Sequence, residues 1–144
     1  MLLPVATLVL AGACVQPVSP ARTYEEYESK ARDTAETTLG AVQTVRVATD
    51  ISDDLIPPYA SVLISDVEGD AAGAQSTFEG VQPPGAAADR LREELGPLLD
   101  EAVGLLADAR ITARRADLDG LHELDEPLQR VAGRLDRFIQ ENGG

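Results

Sequence analysis

Apolar and small residues recur at alternating spacings of three and four along four stretches of the chain, which puts them on one face of an α-helix. The first stretch opens at Thr23-Tyr24-Glu25-Glu26, a capping box in which the threonine hydroxyl accepts from the backbone N–H of Glu26 and the glutamate reaches back. A helix is predicted from there to about Thr49, with Tyr24, Tyr27, Ala31, Thr34, Thr38, Ala41, Val45 and Ala48 facing inward. Pro57-Pro58 suits a helix start, where a missing N–H costs little. The second helix then runs to about Gly80, with Ala60, Leu63, Val67, Ala71, Ala74, Phe78 and Val81 on one face. After Pro83-Pro84-Gly85 a third helix is predicted over about Ala86–Arg115, carrying Ala88, Leu91, Leu95, Leu98, Ala102, Leu105 and Ala109. Its pattern stays in phase across Pro97, so the proline is expected to kink the helix rather than end it. A turn near Ala116–Asp119 leads to a fourth helix ending near Glu141, with the stripe Leu121, Leu124, Leu128, Val131, Leu135 and Phe138. Pro127 either kinks this helix or marks its true start. No stretch of useful length alternates apolar and polar as a half-buried strand does. The pattern predicts an all-α fold, an antiparallel four-helix bundle.

Composition narrows the core. The chain has 144 residues, of which 44% are hydrophobic but only 3% aromatic, so Leu, Val, Ile and Ala must fill the interior of a single domain. Twelve basic against 25 acidic residues leave a net charge of −13, which excludes a nucleic-acid backbone as partner. One Cys and one His supply too few ligands for a zinc site or a redox pair, and no cofactor is expected.

The lone cysteine has a telling place. Met1–Cys14 reads MLLPVATLVLAGAC: an uncharged, mostly apolar run, then small residues, then the thiol. The run is too short to span a bilayer, which takes about 20 apolar residues, and fits the core of a secretory signal peptide. Ala11-Gly12-Ala13-Cys14 resembles the lipobox of bacterial lipoproteins processed by signal peptidase II. The usual aliphatic residue three positions before the cysteine is replaced by Ala11, with Leu10 one further back, and no Lys or Arg precedes the apolar run. The resemblance implies that residues 1–13 are cut away and that the Cys14 thiol carries diacylglycerol. The new amino terminus would be a further site for a fatty acid such as palmitate. Residues 14–22, with two prolines, would form a tether, and residues 23–144 the bundle. The implied address is the extracytoplasmic face of the cell membrane, with the membrane engaged through the lipid anchor.

Charge is unevenly spread. The third and fourth helices are each acidic early and basic late, so that, folded back as a hairpin, each basic end would face the other's acidic end. Residues 51–82 instead hold six acids and no base. Asp66, Glu68 and Asp70 on the second helix are therefore candidates to meet a basic protein partner, Asp66 and Asp70 sharing a face while Glu68 points elsewhere. Their spacing lacks the glycine and the late bidentate glutamate of a calcium loop. Asp50, Asp53 and Asp54 are the better candidates for a divalent cation, although capping of the second helix and solvation explain them more simply. His122-Glu123 lacks the second histidine of a zinc-protease helix, since Glu126 stands four residues on, and His122 is expected at the surface. Paired carboxylates such as Glu93-Glu94 diverge on a helix, and no catalytic residue is nominated.

Two functions compete. One is a non-enzymatic envelope lipoprotein whose bundle binds another protein or supports a membrane complex. The other is an extracytoplasmic bundle that holds a solute or a divalent cation. The small residues on the helix stripes favour close helix approach over a cavity, and so favour the first.

Overall fold

The computed structural model describes residues 21–51 and 57–143. Cys14, the signal segment 1–13 and most of the tether lie outside the described residues, as do Asp53 and Asp54. Among the described residues the fold has five helices: α1 (Tyr24–Asp50), α2 (Pro57–Glu79), α3 (Ala86–Arg114), α4 (Leu118–Glu123) and α5 (Asp125–Glu141). No strand occurs among the described residues, and the protein is an all-α helical bundle.

The capping box forms with one change of partner. Thr23 Oγ1 accepts from the Glu26 N–H at 3.2 Å, but the Glu26 carboxylate takes the Arg22 N–H at 2.6 Å rather than that of the cap residue. Helix α3 runs unbroken through Pro97. The expected fourth helix is two: the chain breaks at Leu124, which caps α4 and starts α5, and Pro127 sits in the first turn of α5 where its missing N–H is no loss. The turn before α4 is a Schellman motif. Asp117 N–H donates to the Thr112 carbonyl at 3.2 Å, Ala116 N–H donates to that of Ala113 at 3.0 Å, and Ala116 takes φ 53°, a place usually given to glycine.

Helix α1 packs against every other helix, while α2 touches only α1 and α3 and never reaches α5. Pairs across α2 and α3 run in opposite numerical order: Glu79 meets Arg92, Gln75 meets Asp100 and Glu68 meets Arg110. The core follows the stripes closely. Tyr27, Val42, Val45, Ile64, Leu95, Leu99, Leu106, Leu128, Val131 and Leu135 are all fully buried, and each such aliphatic side chain contributes about 1.5–3 kcal/mol. Alanines (Ala31, Ala35, Ala71, Ala102, Ala109) fill the places where backbones come close. Some expected inward positions lie at the margin: Tyr24 faces solvent, and Leu63, Val67, Ala74, Leu105 and Leu124 are only half-buried. On α2 and α3 the seam is rotated slightly, so that Ile64 and Leu106 take the central places instead. Three threonines, Thr34, Thr38 and Thr49, are buried on α1, each returning its hydroxyl to the carbonyl four residues back.

Candidate functional site

The outer seam between α1 and α2 holds the surface features that core packing leaves unexplained. On α1 the positions Lys30, Asp33, Thr37, Gly40, Thr44, Val47 and Ile51 recur every three or four residues beside the buried stripe. On α2 the positions Tyr59, Leu63, Asp66, Asp70, Gly73 and Thr77 do the same. Where the stripes face each other the surface is concave. Gly40, Gln43, Thr44, Val47, Ala48 and Ile51 of α1, with Tyr59 and Leu63 of α2, line a hollow of about 560 Å³. Towards the other end, Lys30, Asp33, Thr34 and Thr37 face Gly73, Ala74, Thr77, Phe78 and Val81 around a second hollow of about 280 Å³.

Gly40 lines the first hollow and Gly73 the second, and a Cβ placed on either would point into open space, as it would on Gly69, Gly96, Gly104 or Gly133. The first hollow is edged by exposed apolar side chains: Tyr59 is 61% exposed, Val47 59% and Ile51 45%, and Val62, 60% exposed, stands beside them on the outer face of α2. Among the described residues most of the large apolar side chains left in solvent thus gather near this seam, which core formation alone does not require.

The acidic candidates divide. Asp66 and Asp70 are exposed and have no ion-pair partner within 4 Å among the described residues; they lie on the helical face between Leu63 and Gly73, and so between the two hollows. Glu68 turns the other way, to Arg110 of α3, with Oε2 to Nε 3.3 Å and both side chains largely covered. This pair is within ionic range but too poorly angled for a hydrogen bond, which leaves Arg110 Nε buried without an acceptor. The acidity of residues 51–82 is therefore partly neutralised from α3, contrary to the expectation that no neighbouring base meets it. Of the three candidates, only Asp66 and Asp70 remain on the open flank.

The expected hairpin of opposite charges is realised in a single ion pair, Arg134 of α5 with Glu101 of α3. Arg130 pairs within its own helix with Glu126, and Arg46 of α1 reaches Asp125 at the start of α5 at 2.9 Å. Asp50 is exposed at the last turn of α1; Asp53 and Asp54, the rest of that proposed cation cluster, are outside the described residues. Among the described residues no three His, Cys, Asp or Glu side chains converge as a metal site would. His122 is exposed and its Nδ1–H donates to the Leu118 carbonyl at 2.9 Å, a local helix contact. No helix of the described residues is long and apolar enough to cross a membrane.

Sequence reading found the acids but missed the groove. The exposed stripes have the same three-four spacing as the buried ones, and only the placement of α3 and α5 decides which flank of α1 is covered. Gly40 and Gly73 gave no warning of it, because Gly69, Gly96, Gly104 and Gly133 also lie inside helices with no turn to explain them. Comparison of the chain with protein-family models, with curated proteins and with solved structures gives no match.

Proposed function

We propose that the chain is a non-enzymatic envelope lipoprotein, held to the extracytoplasmic face of the cell membrane through Cys14, whose helical bundle recruits a basic protein partner. The observation that carries the anchor is the sequence Ala11-Gly12-Ala13-Cys14 behind an uncharged apolar run, with that cysteine the only thiol in the chain. Asp66 and Asp70, exposed and without an ion-pair partner among the described residues, stand beside apolar side chains left in solvent and support recruitment by the bundle.

The test pairs cell fractionation with intact-mass measurement for the natural chain and Cys14→Ser. The natural chain is expected in the membrane fraction, lacking residues 1–13 and carrying acyl mass on Cys14. The variant is expected either released or uncut. An unmodified Cys14 in membrane-bound protein ends the anchor reading.

A further inference from the structure

We propose that the outer α1–α2 groove is a docking site for one amphipathic helix of a partner protein, apolar along the side it buries and lysine- or arginine-rich along the flanks. This rests on the reading of the bundle as a recruiting module and gives that module a site and a partner chemistry.

The geometry sets the shape of the occupant. Thr37, Thr44 and Ile51 of α1 lie seven residues apart, as do Tyr59, Asp66 and Gly73 of α2. An amphipathic helix can lie along such a seam with its apolar face in the groove, its anchors three, four and seven residues apart. The inner side of the α1–α2 pair is already covered by α3, which touches both. Among the described residues no helix covers the outer side, where the two concave stretches give room for the side chains of a third helix.

Charge sets its chemistry. Asp33, Asp66 and Asp70 are exposed along the groove without ion-pair partners among the described residues, against the single cation Lys30. A second copy of the chain would bring the same acids face to face and add its own −13. An anionic lipid surface meets the same repulsion. A basic helix relieves it while covering Val47, Ile51 and Tyr59.

The experiment uses the full chain and synthetic 28-residue peptides with leucine at a and d of every heptad and either lysine or glutamate at e and g. The lysine peptide is expected to bind and gain helicity. Its amide shift changes should be confined to α1 and α2, with Gly40 and Gly73 among the most affected; the glutamate peptide should not bind. Gly40→Leu combined with Gly73→Leu puts two side chains into the groove from Cβ positions that meet nothing within 4 Å, so helical circular dichroism should be at least that of the natural chain while affinity falls by more than about tenfold. Asp66→Lys with Asp70→Lys should weaken binding by about three- to tenfold and flatten its salt dependence. Equal binding of both peptides, shifts centred elsewhere, or unchanged affinity in the glycine variant overturns the docking site. So does sedimentation showing a dimer of the free chain that the glycine variant dissolves, because the occupant is then a second copy. If the aspartate variant loses the peptide and the glycine variant keeps it, recruitment by charge stands and the groove falls. Failure of the anchor is read separately at Cys14.

Discussion

Tyr27→Phe should make this bundle more stable. The Tyr27 ring is fully buried between α1 and α2, with its centroid 5.3 Å from that of Phe78 and the planes tilted by 46°. Its hydroxyl is buried as well and has no hydrogen-bond partner among the described residues. Phenylalanine keeps the ring, the volume and the aromatic pair, and removes only the orphan polar atom. Leaving such a group buried and unpaired costs about 1–3 kcal/mol, so its deletion is expected to return a gain of that order. For a domain of this size each kcal/mol moves the melting temperature by about 4 °C. A second reading comes from pH. Burial raises the Tyr27 phenol above its ordinary value near 10, Arg92 opposes the shift and Asp89 adds to it. A raised folded-state value means that the neutral phenol favours the fold at pH below the unfolded value, and that this contribution is lost as pH climbs through the folded one. The natural chain should therefore lose stability in alkali faster than the variant, and the gap in melting temperature should widen there. Thermal melts by circular dichroism at neutral and alkaline pH check both arms. A variant that melts lower than the natural chain at neutral pH refutes the reasoning, because the hydroxyl must then have been contributing a bond.

Four further substitutions probe the scaffold. Leu99→Ala, at a fully buried site on α3, should cost about 2–5 kcal/mol in chemical denaturation, whereas Glu94→Gln on the same helix's exposed face should change little. Ala116→Gly should stabilise by up to about 1 kcal/mol, since φ 53° strains alanine and suits glycine. Gly120→Ala should destabilise by about 1 kcal/mol, a loss visible as a lower melting temperature: the new Cβ would lie 2.5 Å from Asp117 Oδ2, displacing the side chain that caps α4 through the Gly120 N–H.

Helix number and position were legible wherever a local rule stands behind them. Thr23 starts α1 because its hydroxyl has a backbone donor to satisfy, and α3 survives Pro97 because Leu95, Leu98 and Leu99 keep the same face buried on both sides of it. The division of the last helix was legible only as one alternative, a restart marked by Pro127: α5 begins two residues earlier, and the residue that breaks the chain is Leu124, whose sequence carries no stop signal. The turn at Ala116 was seen only approximately for a similar reason, since alanine occupies a left-handed position that the sequence would ordinarily announce with glycine. Pairing between charges was the least legible of all. Helix faces can be read from periodicity, but Glu68 finds Arg110, 42 residues away, only because α2 lies along α3, and no local pattern contains that fact.

The anchor and the groove, taken together, bear on how the bundle would stand. Helix α1 has 27 residues and is therefore about 40 Å long. The chain reaches Cys14 from the Tyr24 end of this helix, whereas Val47, Ile51 and Tyr59 lie around its far end and the start of α2. A lipid on Cys14 would thus hold the end of the bundle that lacks the apolar hollow, with a short tether between. The exposed apolar side chains would then stand away from the bilayer unless the bundle lay flat, and a flat pose on that flank presses Asp33, Asp66 and Asp70 towards the headgroups, which an anionic surface opposes. Burial of those side chains in the membrane is for this reason the poorer account of their exposure. A basic helix reaching the bundle from the aqueous side meets the groove without that cost.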